Sequence, residues 1–99
     1  MTDLEISKQL ALVIGWPKSR VSDYMTDNFV LITEWPEVGF VRRFDYQDWA
    51  VIGPIAEKYD CFPLKVGDSW LSRYLWRGQR GRADTPQKAI ALAVIGTKK

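Results

Sequence analysis

FPLKVGDSWLSRYLW, residues 62–76, reads as a β-hairpin. Two β-rich runs flank Gly67-Asp68, and a glycine in a two-residue connection supplies the positive φ that a tight hairpin turn needs. Phe62 to Val66 and Ser69 to Trp76 are therefore expected as paired strands. Upstream, Tyr46 to Tyr59 places Trp49, Ile52, Ile55, Ala56 and Tyr59 at helical spacing, with Asp45 as the expected N-cap and Asp48 in the first turn. Gly53-Pro54 predicts a kink or two short helices, because Pro54 has no N–H to donate and crowds the preceding turn. Downstream, Arg77-Gly78-Gln79-Arg80-Gly81-Arg82 combines three arginines with two glycines and is expected to be an exposed, mobile loop. Thr85 followed by Pro86 is a preferred helix entry, and Ala89, Ile90, Leu92, Ala93, Val94 and Ile95 fill the final helix up to Gly96.

The amino-terminal half follows the same logic. Thr2 and Glu5 have the spacing of a capping box, so a helix is expected over 3–14, with Gly15-Trp16-Pro17 as its stop. Residues 17–28 show neither helical nor strand period and are expected to be a surface loop. Phe29 to Trp35 and Val38 to Phe44, joined by Pro36-Glu37, form a second hairpin. Apolar side chains alternate onto both of its faces, which predicts cover on each side. The fold class is thus α+β: a small antiparallel sheet of about four strands flanked by three helices, in the order α-β-β-α-β-β-α, as an α/β/α sandwich. With 99 residues the chain has the size of a single domain, residues 1–99, and no internal repeat is visible.

Composition narrows the chemistry. The chain has no histidine, which removes Ser-His-Asp and Cys-His catalysis and every imidazole-based zinc site. Its single cysteine, Cys61, cannot form an internal disulfide, and with no base motif beside it reads as a structural thiol. No phosphate-cradling glycine motif or calcium loop occurs. The pairs Asp23/Asp27, Glu34/Glu37 and Asp45/Asp48 have no supporting motif, and the last pair is accounted for by a helix start. The expectation is a protein that is not an enzyme and needs no cofactor or metal. No apolar run has the length of a membrane span, and the start, MTDLEISKQL, is acidic and polar rather than signal-like. A cytoplasmic location in a bacterial host cell is expected.

Charge is unevenly distributed. Residues 1–49 carry five Lys+Arg and eight Asp+Glu, a balance of −3, whereas residues 50–99 carry nine and four, a balance of +5. Within the basic half, Arg73, Trp76, Arg77, Arg80 and Arg82 are the expected partner-binding residues. Lys98 and Lys99 add charge, and Trp70, Tyr74 and Trp76 alternate along one strand face. Cations beside stacking platforms suit single-stranded nucleic acid. Arginine and aromatics are equally the residues of protein–protein hot spots. The competing reading is that the aromatics are core and the arginines solvate a loop. Of the five tryptophans, at 16, 35, 49, 70 and 76, most are expected to be structural, with one or two left for a partner.

The segments DLEISKQLALVIGW, FDYQDWAVIGPIAEKYDCFPLKV, GDSWLSRYLW and ADTPQKAIALAVIG together resemble the phage ABA-sandwich domain family and, more loosely, NinX-like phage accessory proteins. The matching features are Gly15-Trp16, Asp45 to Trp49, Phe62 to Trp76 and Thr85-Pro86 to Ile95, while residues 17–44 match least. These are caps, turns and core positions, so the resemblance implies α/β/α layering and a phage or prophage origin, and brings no catalytic residue with it. It further implies a small accessory protein that binds a host or defence-complex protein and thereby inhibits an enzyme or an antiviral complex. A net charge of +2 argues against imitation of DNA. Nucleic-acid binding through the basic half is the alternative.

Overall fold

Among the described residues, each α-helix start is held by a side-chain oxygen that accepts a backbone N–H. The Thr2 hydroxyl accepts from the Glu5 amide at 3.1 Å, and the Glu5 carboxylate accepts from the Thr2 amide at 3.4 Å, closing the capping box of α1 (Asp3–Val13). Asp48 caps α2 (Trp49–Tyr59) by accepting from the Ala50 amide at 2.9 Å, and Thr85 caps α3 (Pro86–Ile95) by accepting from the Lys88 amide at 3.3 Å. The computed structural model describes residues 2–23, 28–35, 39–74 and 79–96. The chain divides into two units, Met1–Asp45 and Tyr46–Lys99, each carrying its own antiparallel sheet of three strands.

In the first unit, α1 is followed by a 3-10 turn at Lys18–Arg20, β1 (Val21–Ser22), β2 (Val30–Trp35) and β3 (Phe40–Phe44), with sheet order β1-β2-β3. Ile6, Leu10 and Ala11 from α1 are buried, as are Val30, Ile32 and Phe44 from the sheet. The Ser7 hydroxyl, also buried, donates to the Asn28 carbonyl at 3.3 Å. Residues 17–28 are not simply the expected loop, because they contain the 3-10 turn and a strand. With only two residues, β1 has no periodicity to reveal it and exists through its register Val21↔Ile32 and Ser22↔Leu31. Among the described residues, cover on both sheet faces is not found at β3, where Val41 and Arg43 are exposed.

The second unit runs α2, β4 (Leu64–Val66), β5 (Ser69–Tyr74), β6 (Gln79–Ala83) and α3, with sheet order β4-β5-β6. The turn is as expected, with Val66 paired to Ser69 across Gly67-Asp68 and Gly67 at φ 62°, but the first strand starts at Leu64 rather than Phe62, and residues 75 and 76 of the expected second strand lie outside the described residues. Two local expectations need correction. The N-cap of α2 is Asp48 rather than Asp45, so the helix starts three residues later than Tyr46; Asp45 is instead a nearly buried carboxylate paired with Arg43 at 3.3 Å. The helix also runs as one element through Pro54, which is exposed, as is Ala50 one turn earlier, where water can take up the carbonyl left without a donor.

The larger correction concerns the sheet. The expected single sheet of about four strands in an α/β/α sandwich is replaced by two three-stranded sheets. Gln79–Ala83, expected to lie in a loop, is the third strand of the second one. It pairs with β5 along its length, Trp70↔Ala83, Ser72↔Gly81 and Arg73↔Arg80 among the partners. Helix α3 packs on β5 and β6, with α2 packed on α3, and Ala89, Ile90, Ala91, Ala93, Val94 and Ile95 are all buried. Gly81 makes this approach feasible: a Cβ there would overlap the Ala89 carbonyl oxygen and the Ala93 amide nitrogen.

Candidate functional site on the open face of the second sheet

Strand alternation sorts the side chains of β4, β5 and β6 onto two faces. Gly81 looks at α3, so its cross-strand partner Ser72 and the pair Trp70↔Ala83 lie on the same, helix-covered face. Ser72 is fully buried there and donates its hydroxyl hydrogen bond to the Cys61 carbonyl. The pairs Arg73↔Arg80 and Leu71↔Arg82 belong to the opposite face, together with Leu64 and Val66 of β4.

Among the described residues, that opposite face is open. Arg73, Arg80 and Arg82 are exposed, as are Leu64 at 68% and Val66 at 43%, and Phe62, two residues before Leu64, at 58%. The face has two rails: an apolar one on the edge strand β4 and a cationic one on the edge strand β6, with Leu71 and Arg73 of β5 between them. No acidic residue occurs in any of the three strands. Arg82 Nε donates to the Ser69 hydroxyl at 2.8 Å, which steadies its side chain along the face. Among the described residues, none of the three arginines is in an ion pair. Arg73 stands directly opposite Arg80, where like charges repel across the ladder.

Of the expected partner-binding residues, Arg73, Arg80 and Arg82 are thus brought to one surface. Trp76, Arg77, Lys98 and Lys99 lie outside the described residues. The grouping of cations with the Trp70 face is corrected, because Trp70 is half-buried on the α3 side and meets a different cation, with Lys65 Nζ 5.7 Å from its ring. Phe62, Leu64 and Val66 were missed as surface residues. Their alternation was visible in the sequence, but it signals one shared face without saying whether that face is covered.

The other candidate chemistry disperses. Asp23 pairs with Lys8 at 3.2 Å, Glu34 with Arg42 at 2.7 Å and Asp45 with Arg43, while Asp48 caps α2. Asp27 and Glu37 lie outside the described residues. Cys61 is buried, and desolvation pushes its thiol pKa above the ordinary 9.0, with the nearby Ser72 side-chain hydroxyl opposing the rise at the sulfur and the Asp60 carboxylate adding to it. A thiol so placed is a poor nucleophile near neutral pH. Among the described residues, no group of three or more Cys, Asp or Glu could hold a metal ion, and no helix is long and apolar enough to cross a membrane. Trp49, on α2, is half-exposed. No protein-family model, no curated protein and no solved structure matches this chain.

Proposed function

We propose that this chain is a non-enzymatic protein-binding module whose working surface is the open face of β4, β5 and β6, and that it takes an acidic region of a partner protein. The observation that carries this reading is that Arg73, Arg80 and Arg82 share an exposed face with Leu64 and Val66, on three strands that contain no acidic residue. Guanidinium groups give bidentate hydrogen bonds to carboxylates, and neighbouring apolar side chains supply the burial that fixes an interface. In the setting implied by the resemblance to phage accessory proteins, the partner would be a host enzyme or defence complex, inhibited by having its surface covered. Trp70 lies on the α3 side, away from Arg73, Arg80 and Arg82, and exposed Leu64 and Val66 suit a protein surface better than a phosphate backbone, which supports the protein-partner reading over single-stranded nucleic acid.

The test is recovery of partners from nuclease-treated bacterial lysate at about 150 mM salt, where nonspecific charge contacts are already screened. Wild type is compared with a variant in which Arg73, Arg80 and Arg82 are all replaced by Glu. A stoichiometric protein held by the wild type and lost by the variant supports the reading. Equal retention by both would overturn the assignment of this face, and recovery of nucleic acid alone would replace it with the alternative.

A further inference from the structure

The two rails have a geometry that specifies the partner's shape as well as its charge. Strands two ladder steps apart lie about 9.5 Å from each other, which puts β4 and β6 one helix diameter, about 10 Å, apart. Along each rail, alternate residues such as Leu64 and Val66, or Arg80 and Arg82, repeat about every 6.6 Å. A helix repeats its i, i+4 side chains about every 6 Å, close enough to keep step over two contacts. The sheet's other face already accepts a helix, α3, and among the described residues the exposed face has none. We infer that the open face of β4-β5-β6 docks an amphipathic α-helix of a partner protein, lying along the strands over Leu71. Its apolar stripe is set on Leu64 and Val66, and an adjacent acidic stripe on Arg80 and Arg82. This inference rests on the proposed binding role and adds the partner's secondary structure and charge pattern. An extended acidic tail would satisfy the arginines but leave Leu64 and Val66 in water, since it carries no matching apolar stripe; the helix satisfies both rails at once.

The experiment uses the full chain and fluorescent peptides read by anisotropy. The probe is a helix-stabilised peptide with leucines at i, i+4 and i+7 and glutamates on the neighbouring stripe. Controls are the same composition scrambled to destroy the stripes, an unstructured oligoglutamate and an oligo-deoxythymidine. The expected result is binding of the striped helix at least roughly tenfold tighter than of its scrambled form, weakened about tenfold by either L64E or R80E, positions exposed enough to leave folding intact. If striped, scrambled and unstructured acidic peptides bind alike, the helix inference fails while the acidic-partner reading stands. If no acidic peptide binds, both fail. Tightest binding to the oligo-deoxythymidine, falling steeply with salt, overturns both in favour of nucleic acid. Peptide-independent, concentration-dependent self-association abolished by L64E would assign the face to a second copy of the chain and overturn the helix inference.

Discussion

Gly81 stands directly across the ladder from the buried Ser72, and its missing side chain lets α3 come down onto the sheet backbone to backbone. Substitution of Gly81 by Ala should therefore push β6 and α3 apart. The blocking atoms are backbone, which cannot rotate away, so the expected loss is at the upper end of overpacking costs, about 3 kcal/mol. Urea denaturation reads it directly, and a loss below about 1 kcal/mol would mean that the strand and helix are not as close as the structure places them.

Replacing Ser72 by Ala removes the donor that the Cys61 carbonyl receives in a buried setting. A carbonyl left without its partner costs about 1–3 kcal/mol. The thermal midpoint of the S72A protein should fall by several degrees, as the entropy of unfolding for a chain of this size dictates. An unchanged midpoint would show that the carbonyl finds another donor.

Asp60 ends α2 in the left-handed conformation, with φ 50° and ψ 51°. Aspartate tolerates this region, but glycine adopts it without a Cβ penalty of roughly 1 kcal/mol or more. D60G is expected to stabilise the protein by about 0.5 kcal/mol once the greater freedom of glycine in the unfolded chain is subtracted. Destabilisation instead would reveal a structural role for the carboxylate.

Burial raises the Cys61 pKa, so the folded state favours the protonated thiol. The associated stability is fully present below the unfolded value near 9.0 and is lost as pH rises through the folded value. Stability measured from pH 7 to 10.5 should accordingly decline at the alkaline end, with that part of the decline absent in C61A. In the native protein at pH 8, a thiol-modifying dye should react far more slowly than in urea. Equal rates would contradict the buried placement.

Arg73 opposite Arg80 sets folding against binding. Converting one member to an acid turns a repulsive cross-strand pair into an attractive one, worth about 0.2–1 kcal/mol. R80E should therefore raise the urea midpoint slightly while weakening capture of an acidic partner. Loss of both stability and binding would mean that Arg80 supports the sheet rather than the surface.

The elements legible in the sequence are those whose causes are local. Thr2 with Glu5, Thr85 with Pro86 and Gly67 with Asp68 each act within a few residues, so α1, α3 and the β4–β5 turn lie where their signals place them. Asp45 and Asp48 compete for one helix start, and the choice fell to Asp48 while Arg43 and burial engaged Asp45. The candidate arginines were legible as residue types, and period-2 alternation alone separates Arg73 from Trp70.

By itself, then, the sequence determined the starts of α1 and α3, the tight turn, the absence of imidazole chemistry and the concentration of positive charge in the second half. The tertiary structure alone decided that Gln79–Ala83 is a strand. A segment with two arginines and a glycine has little strand propensity of its own, and becomes one because β5 satisfies its backbone and α3 requires a residue without a side chain at Gly81. It also decided which face stays open, since alternation makes two faces of every strand and only packing against α3 chooses between them.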